Sequence, residues 1–142
     1  MTIAAILTGK GSDVVSLTPE SSLADAVALL ADKRIGAAPV VADGQVVGIF
    51  SERDVIHCLR ADGESAMRRR IGDVMTSPVQ SVGRDTSVMG ALSLMTRRRI
   101  RHLPVIDGDT LVGFVSIGDL VKYRIDRIEA DAAAMRDYIQ SV

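Results

Sequence analysis

Two serine–aspartate pairs carry the side chains best suited to chemistry: Ser51 with Asp54, and Ser116 with Asp119. Each pair lies where an apolar, strand-like run gives way to a helix-like one, so hydroxyl and carboxylate fall at the start and in the first turn of a helix. Free backbone N–H groups and the positive dipole end favour an anion such as phosphate there. A carboxylate in that turn accepts paired hydroxyl donors in charge-assisted bonds. Ser-x-x-Asp is equally a capping box that simply starts a helix, and the two roles can coexist. His57 and Cys58 do not make a nucleophile and base: neighbours on a helix point roughly 100° apart, whereas that chemistry needs two groups facing each other within hydrogen-bond reach. Cys58 is the only cysteine, so no internal disulfide forms, and with only His57 and His102 beside it a structural metal site is not expected.

The pairs recur because the chain is one unit written twice. Without a gap, Ser16 falls on Ser81, Ser22 on Ser87, Ala26 on Ala91, Leu29 on Leu94, Ile35 on Ile100 and Pro39 on Pro104, an offset of 65 residues. Gly48 then meets Gly113, Ser51 meets Ser116, and Asp54 meets Asp119. Each copy buries its apolar face against its twin, and two copies make a pseudo-twofold pair rather than a solenoid.

The elements that must position these residues are legible in each copy. A lead-in ending in a turn at Lys10 and Gly11 precedes a short β-branched strand over 13–17, which Thr18 and Pro19 break. Ser22 and Asp25 then form a capping box, and Leu23, Ala26, Val27 and Leu30 give one apolar helix face, as Val88, Ala91, Leu92 and Met95 do after Ser87. Runs over 38–41 and 46–50 around Asp43 and Gly44 read as a hairpin, and so do 103–106 and 111–115 around Asp107 and Gly108. A helix from near Ser51 fades by Gly63, and a helical turn over 71–75 leads into the second copy. The last helix, about 119–139, carries Val121, Ile125, Ile128, Ala132, Met135 and Ile139 at heptad-like spacing. That seam packs either on its own domain or on the same helix of a second subunit. The organisation expected is a first repeat with lead-in and linker over 1–65, a second over 66–125, and a C-terminal helix over 120–142.

With 142 residues, 47% hydrophobic and 25% charged, the composition is that of one soluble domain, and a net charge of −1 sets up no long-range field for polyanions. The start lacks a basic opening and no stretch approaches the roughly 20 apolar residues of a membrane span, so a soluble, cytoplasmic protein without membrane contact is expected. Arg97, Arg98 and Arg99 read as a solvated face at a helix C-terminus. Nucleic-acid binding would need stacking aromatics, and Phe50 and Phe114 sit in apolar strand runs.

In both halves an apolar residue, Pro and Val (Pro39 and Val40, Pro104 and Val105), an Asp/Gly hairpin, and then Gly, two apolar residues, Ser, two more residues and Asp follow in order. This arrangement resembles the tandem CBS (cystathionine-beta-synthase) domain pair, or Bateman module, over nearly the whole chain. The resemblance implies an α/β (α+β) fold of two β-α-β-β-α motifs packed through their sheets. It also implies two clefts between the copies, a homodimer of pairs arranged as a flat disc, and a regulatory role without catalysis.

Family clefts hold adenine nucleotides or related adenosyl ligands: AMP, ADP or ATP, NAD(H), or S-adenosylmethionine. By the same resemblance the Asp54 cleft would use Ser51, Arg53 and Asp54, with adenine near Thr76, Val79, Ile100 and Arg101. The Asp119 cleft would use Ser116, Asp119, Arg101 and His102, with adenine near Val15, Ile35, Gly36 and Ala37, and Lys10 reaching a phosphate. Because Arg101 and His102 stand where the first copy has Gly36 and Ala37, and Gly118 where it has Arg53, unequal affinities are expected. A larger ligand such as a dinucleotide would suit one cleft. The rival expectations are a ligand-independent oligomerisation or interaction module, and a fragment of an enzyme such as inosine monophosphate dehydrogenase, in which similar pairs are inserted. A regulated enzyme or other protein is the remaining partner expected.

Overall fold

The computed structural model describes residues 1–11 and 13–141. The lead-in is a helix, α1 (Ile3–Lys10), ended by Gly11 at φ 94°. The strand expected over 13–17 shrinks to a single parallel bridge from Leu17 to Val40, with Leu17 N–H on the Pro39 carbonyl at 2.9 Å and Val41 N–H on the Leu17 carbonyl at 2.8 Å. Two prolines set this limit. The preceding rung needs an N–H from Pro39 and the next needs one from Pro19, and neither residue has one. In the second copy Val82 bridges Val105 in the same way.

The remainder of the first copy is α2 (Leu23–Lys33), β1 (Ala37–Ala42), β2 (Gln45–Ser51) and α3 (Glu52–Asp62). After a 3-10 segment (Gly63–Arg68) and a short α4 (Ile71–Val74), the second copy follows as α5 (Val88–Arg98), β3 (His102–Asp107), β4 (Thr110–Ser116) and α6 (Ile117–Gln140). β1 pairs antiparallel with β2 through the two-residue turn Asp43 (φ 52°) and Gly44 (φ 78°), positive φ values that suit an Asp-Gly hairpin. In β3–β4 the turn is Gly108 and Asp109, one residue later than expected, because Asp107 still pairs with Thr110.

Two cores form, and each recruits the segment that precedes the other copy. Ile3, Ile6 and Leu7 of α1 pack with Val88, Ala91, Met95, Leu103 and Val115 of the second copy. Ile71 of α4 packs with Leu23, Ala26, Val40 and Phe50 of the first. Backbone bonds fix the exchange: Ile3 N–H donates to the Thr86 carbonyl at 2.9 Å, and Thr76 and Ile49 exchange N–H···O bonds of 2.9 and 3.0 Å. β2 and β4 meet where the copies join.

The seam on α6 does not pack on its own chain. Val121, Ile125, Ile128, Met135 and Ile139 are 43–64% exposed, and Leu120 is the one residue of this helix that is fully buried among those described. A helix of 24 residues is about 36 Å long and runs past the domain that anchors its first turns.

Candidate functional site

Ser51 ends β2 and caps α3. Its hydroxyl accepts the Asp54 N–H at 3.4 Å, while Asp54 Oδ2 accepts the Ser51 N–H at 2.9 Å and the Ser51 hydroxyl at 3.1 Å. The capping box therefore uses one carboxylate oxygen. The other, Oδ1, accepts the Thr76 hydroxyl at 3.3 Å. Thr76 is brought there by its paired backbone bonds to Ile49 and by Met75, which lies against Gly48; a Cβ on Gly48 would stand 2.5 Å from the Met75 sulfur.

These residues line a cavity of about 280 Å³. It gathers Ser51, Arg53, Asp54, Thr76, Val79, Ile100 and Arg101, the full set expected for the Asp54 cleft. Gly36 and His102, assigned from sequence to the Asp119 cleft, line this cavity as well. So do Ile49, Glu52, Pro78, Gln80 and Arg99, which sequence reasoning did not nominate. Arg99 belongs to the arginine run whose sequence reads as a solvated face; its left-handed conformation (φ 55°) ends α5 there and leads the chain into Ile100 and Arg101. Three guanidiniums, Arg53, Arg99 and Arg101, against the carboxylates of Glu52 and Asp54 give the lining a net positive charge suited to phosphate.

The Asp119 side is arranged differently. Asp119 Oδ2 accepts the Ser116 N–H at 2.8 Å, and Lys10 at the end of α1 donates to that same oxygen at 2.6 Å and to the Phe114 carbonyl at 2.7 Å. Lys10 thus pairs with the carboxylate itself. Among the residues assigned to this cleft, Ala37 is buried at 2% exposure, and Ile35 packs on the first core and borders a separate hollow between α2 and α3. Arg101, expected at both clefts, and His102, expected at this one, line the Asp54 cavity. Val15, half-buried, is not among that cavity's lining residues either.

Burial opposes ionisation of Asp119, but the Lys10 ammonium and the Ser116 N–H outweigh it and hold the carboxyl below its ordinary 3.8. Burial first, and the Lys10 ammonium next, lower His102 below 6.5, although Asp119 and Glu52 pull the other way. The ring stacks on Phe114 with centroids 5.7 Å apart and planes 14° from parallel. Burial raises the Cys58 thiol, in keeping with a core residue rather than a nucleophile.

The CBS domain profile matches residues 10–61 and 71–126, and the chain belongs to the CBS-domain family. It is similar to the mitochondrial CBS domain-containing protein CBSX3 of Arabidopsis thaliana, with 32% identity over 98% of this chain and 72% of that one. The crystal structure of the CBS-domain containing protein ATU1752 from Agrobacterium tumefaciens superposes with a TM-score of 0.83 at 35% identity, covering 87% of this chain and 92% of that one. The CBS domain pair of MJ0100, solved with 5′-methylthioadenosine and S-adenosyl-L-methionine, shares the fold at a TM-score of 0.79 and 22% identity, over 89% of this chain and 98% of that one. Two tandem CBS motifs with a long C-terminal helix are therefore the architecture of this chain.

Proposed function

We propose that this CBS pair is a regulatory sensor that binds an adenine nucleotide, AMP, ADP, ATP or NAD(H), in the cavity beside Asp54 and does no catalysis of its own. The observation that carries this reading is Asp54 itself. One of its oxygens is held by the capping box, and the other meets, among the described residues, only a threonine hydroxyl at 3.3 Å, in a cavity lined also by three arginines. Oδ1 can accept ribose hydroxyls, Arg53, Arg99 and Arg101 can balance phosphate, and Ile49, Val79 and Ile100 offer apolar surface to a base. The MJ0100 pair was solved with adenosyl ligands; the ligand class proposed here rests on the cavity, since that likeness concerns the fold.

Binding acts on a partner protein only through different affinities for two arrangements of the pair. We take the working unit to be a cytoplasmic homodimer joined along the exposed face of α6, and its target to be a regulated enzyme or other protein. Thermal shift against AMP, ADP, ATP, NAD and S-adenosylmethionine tests the reading. A ligand that binds only the folded state stabilises it by about 2.7 kcal/mol at a hundredfold excess over its dissociation constant. We expect a shift with one of these ligands, a smaller one with its deoxyribose analogue, and none in Asp54→Ala. Turnover of the nucleotide by the purified protein would overturn the non-catalytic part. The second reading, a ligand-independent assembly module, is favoured by the apolar face of α6 and predicts no shift with any ligand.

A further inference from the structure

Of the two histidines, His102 alone lines the cavity beside Asp54. It opens β3, and Phe114 covers one face of its ring. Among the described residues the ring nitrogens make no hydrogen bond, and neither is sealed from solvent. Gly36 supplies the opening opposite. A Cβ there would stand 3.6 Å from His102 Cε1 and 3.5 Å from Glu52 Oε1, so ring and carboxylate flank space that a side chain would fill.

The duplication provides a control. At the offset of 65 residues, and in matching strand registers, the counterparts of Gly36, Glu52 and His102 are Arg101, Ile117 and Ala37. None of these changes charge near neutrality, so of the two sets only the one at the Asp54 cavity includes a group that does. The charges that face the ring are Lys10 of α1, Asp119 of α6, Glu52 of α3 and Arg101, the preceding residue. The cavity adds Arg53 and Asp54 from α3 and Arg99 from the end of α5. In the chain alone, burial and then Lys10 keep the ring from charging. A phosphate drawn by Arg99 and Arg101 would reverse that balance, because an anion within about 4–6 Å of an imidazole favours its charged form.

We propose that His102 takes up a proton from solvent when an anionic adenosyl ligand enters the cavity beside Asp54, so that occupancy of the site responds to pH as well as to ligand concentration. The inference rests on the adenosyl reading above. Linkage fixes its sign: ligand strengthens proton binding by the ring, and the proton strengthens ligand binding by the same factor. The ring titrates below 6.5 in the chain alone. Affinity is therefore greatest below that free value and falls as the pH rises through the higher value of the complex. A rise of about one unit on binding would tighten the complex up to about tenfold across that span.

Two measurements on the full chain test it. The first follows the His102 ring by NMR, assigned as the histidine signal that remains in His57→Gln, with AMP, ATP and NAD added in turn. Saturating ligand should raise the midpoint of the His102 titration. An unmoved or lowered midpoint overturns the inference and leaves nucleotide binding standing. The second is calorimetric titration with the same nucleotides between about pH 6 and 8, where a histidine titrates, in buffers of two different ionisation enthalpies. The native protein should take up a proton on binding and bind more tightly toward the acid end. AMP and ATP carry phosphates that themselves titrate near about pH 6, so the share of the ring is the part absent from His102→Gln; NAD, with no such phosphate, shows it alone. Proton uptake that persists unchanged in His102→Gln overturns the proposal. The ring titration uses the native side chain, so it decides the matter should that variant fold poorly. If none of the three nucleotides binds the native protein, the adenosyl reading is removed and the proposal falls with it.

Discussion

Asp54 and Asp119 are one residue in two settings, and the neighbours that arrive from elsewhere decide their chemistry. His102 shows the same dependence. It is approached by Lys10 from α1, Asp119 from α6, Glu52 from α3 and Arg101 from the preceding residue. Its folded value lies below 6.5, so the unfolded chain binds the proton first. His102 therefore contributes stability fully above about pH 6.5, and that contribution is lost as the pH falls through the folded value. The melting temperature should drop between pH 7 and 5, and His102→Gln should flatten that slope; an unchanged slope would remove His102 as its source. Gly48 is constrained sterically instead. A Cβ there would meet the Met75 sulfur at 2.5 Å and the Thr76 carbonyl at 3.1 Å. Gly48→Ala should cost about 1–3 kcal/mol in urea unfolding, in line with overpacking, and should weaken ligand binding by displacing Thr76.

At the scale of elements, exchange of the lead-in segments is the main event. α1 begins the chain yet completes the second copy's core, where Leu7 is 5% exposed. Leu7→Ala should destabilise by about 2–5 kcal/mol, the range for a buried leucine. Because Leu7 holds the end of α1 over Gly113, the same substitution should also reduce the yield of a carbodiimide cross-link between Lys10 and Asp119, which stand 2.6 Å apart. Unfolding curves and cross-link yield measured on one preparation check both parts; a stability loss with an unchanged yield would show that α1 docks without Leu7. The helix starts behave more locally. Ser22, Ser51 and Ser116 each form a complete capping box with the aspartate three residues on, as the spacing of those pairs suggests.

For the whole molecule, the exposed row on α6 is what a single chain leaves unsatisfied. Ile125 and Ile128 are 49% and 52% exposed on the same helix as Val121 and Met135. If a second copy covers this row, light scattering at micromolar concentration should return twice the chain mass, and Ile125→Asp with Ile128→Asp should return the monomer. A monomer mass for the native protein, with and without nucleotide, would refute the dimer.

The sequence by itself determined the duplication, both hairpins and the capped helices, because periodicity, turn chemistry and capping act over a few residues and repeat in each copy, whereas the grouping of Ser51, Arg53, Asp54 and Thr76 came from the family resemblance. It overstated the strand over 13–17, since a ladder needs donors on both partners and Pro39 and Pro19 supply none. Only the tertiary structure decided which core α1 joins, that Gly36 and His102 line the Asp54 cavity, and that Lys10 bonds the Asp119 carboxylate itself across 109 positions of chain. Those outcomes depend on how two nearly equivalent apolar units pack against each other. No local pattern specifies that, because the contacts that decide it join residues far apart in the chain.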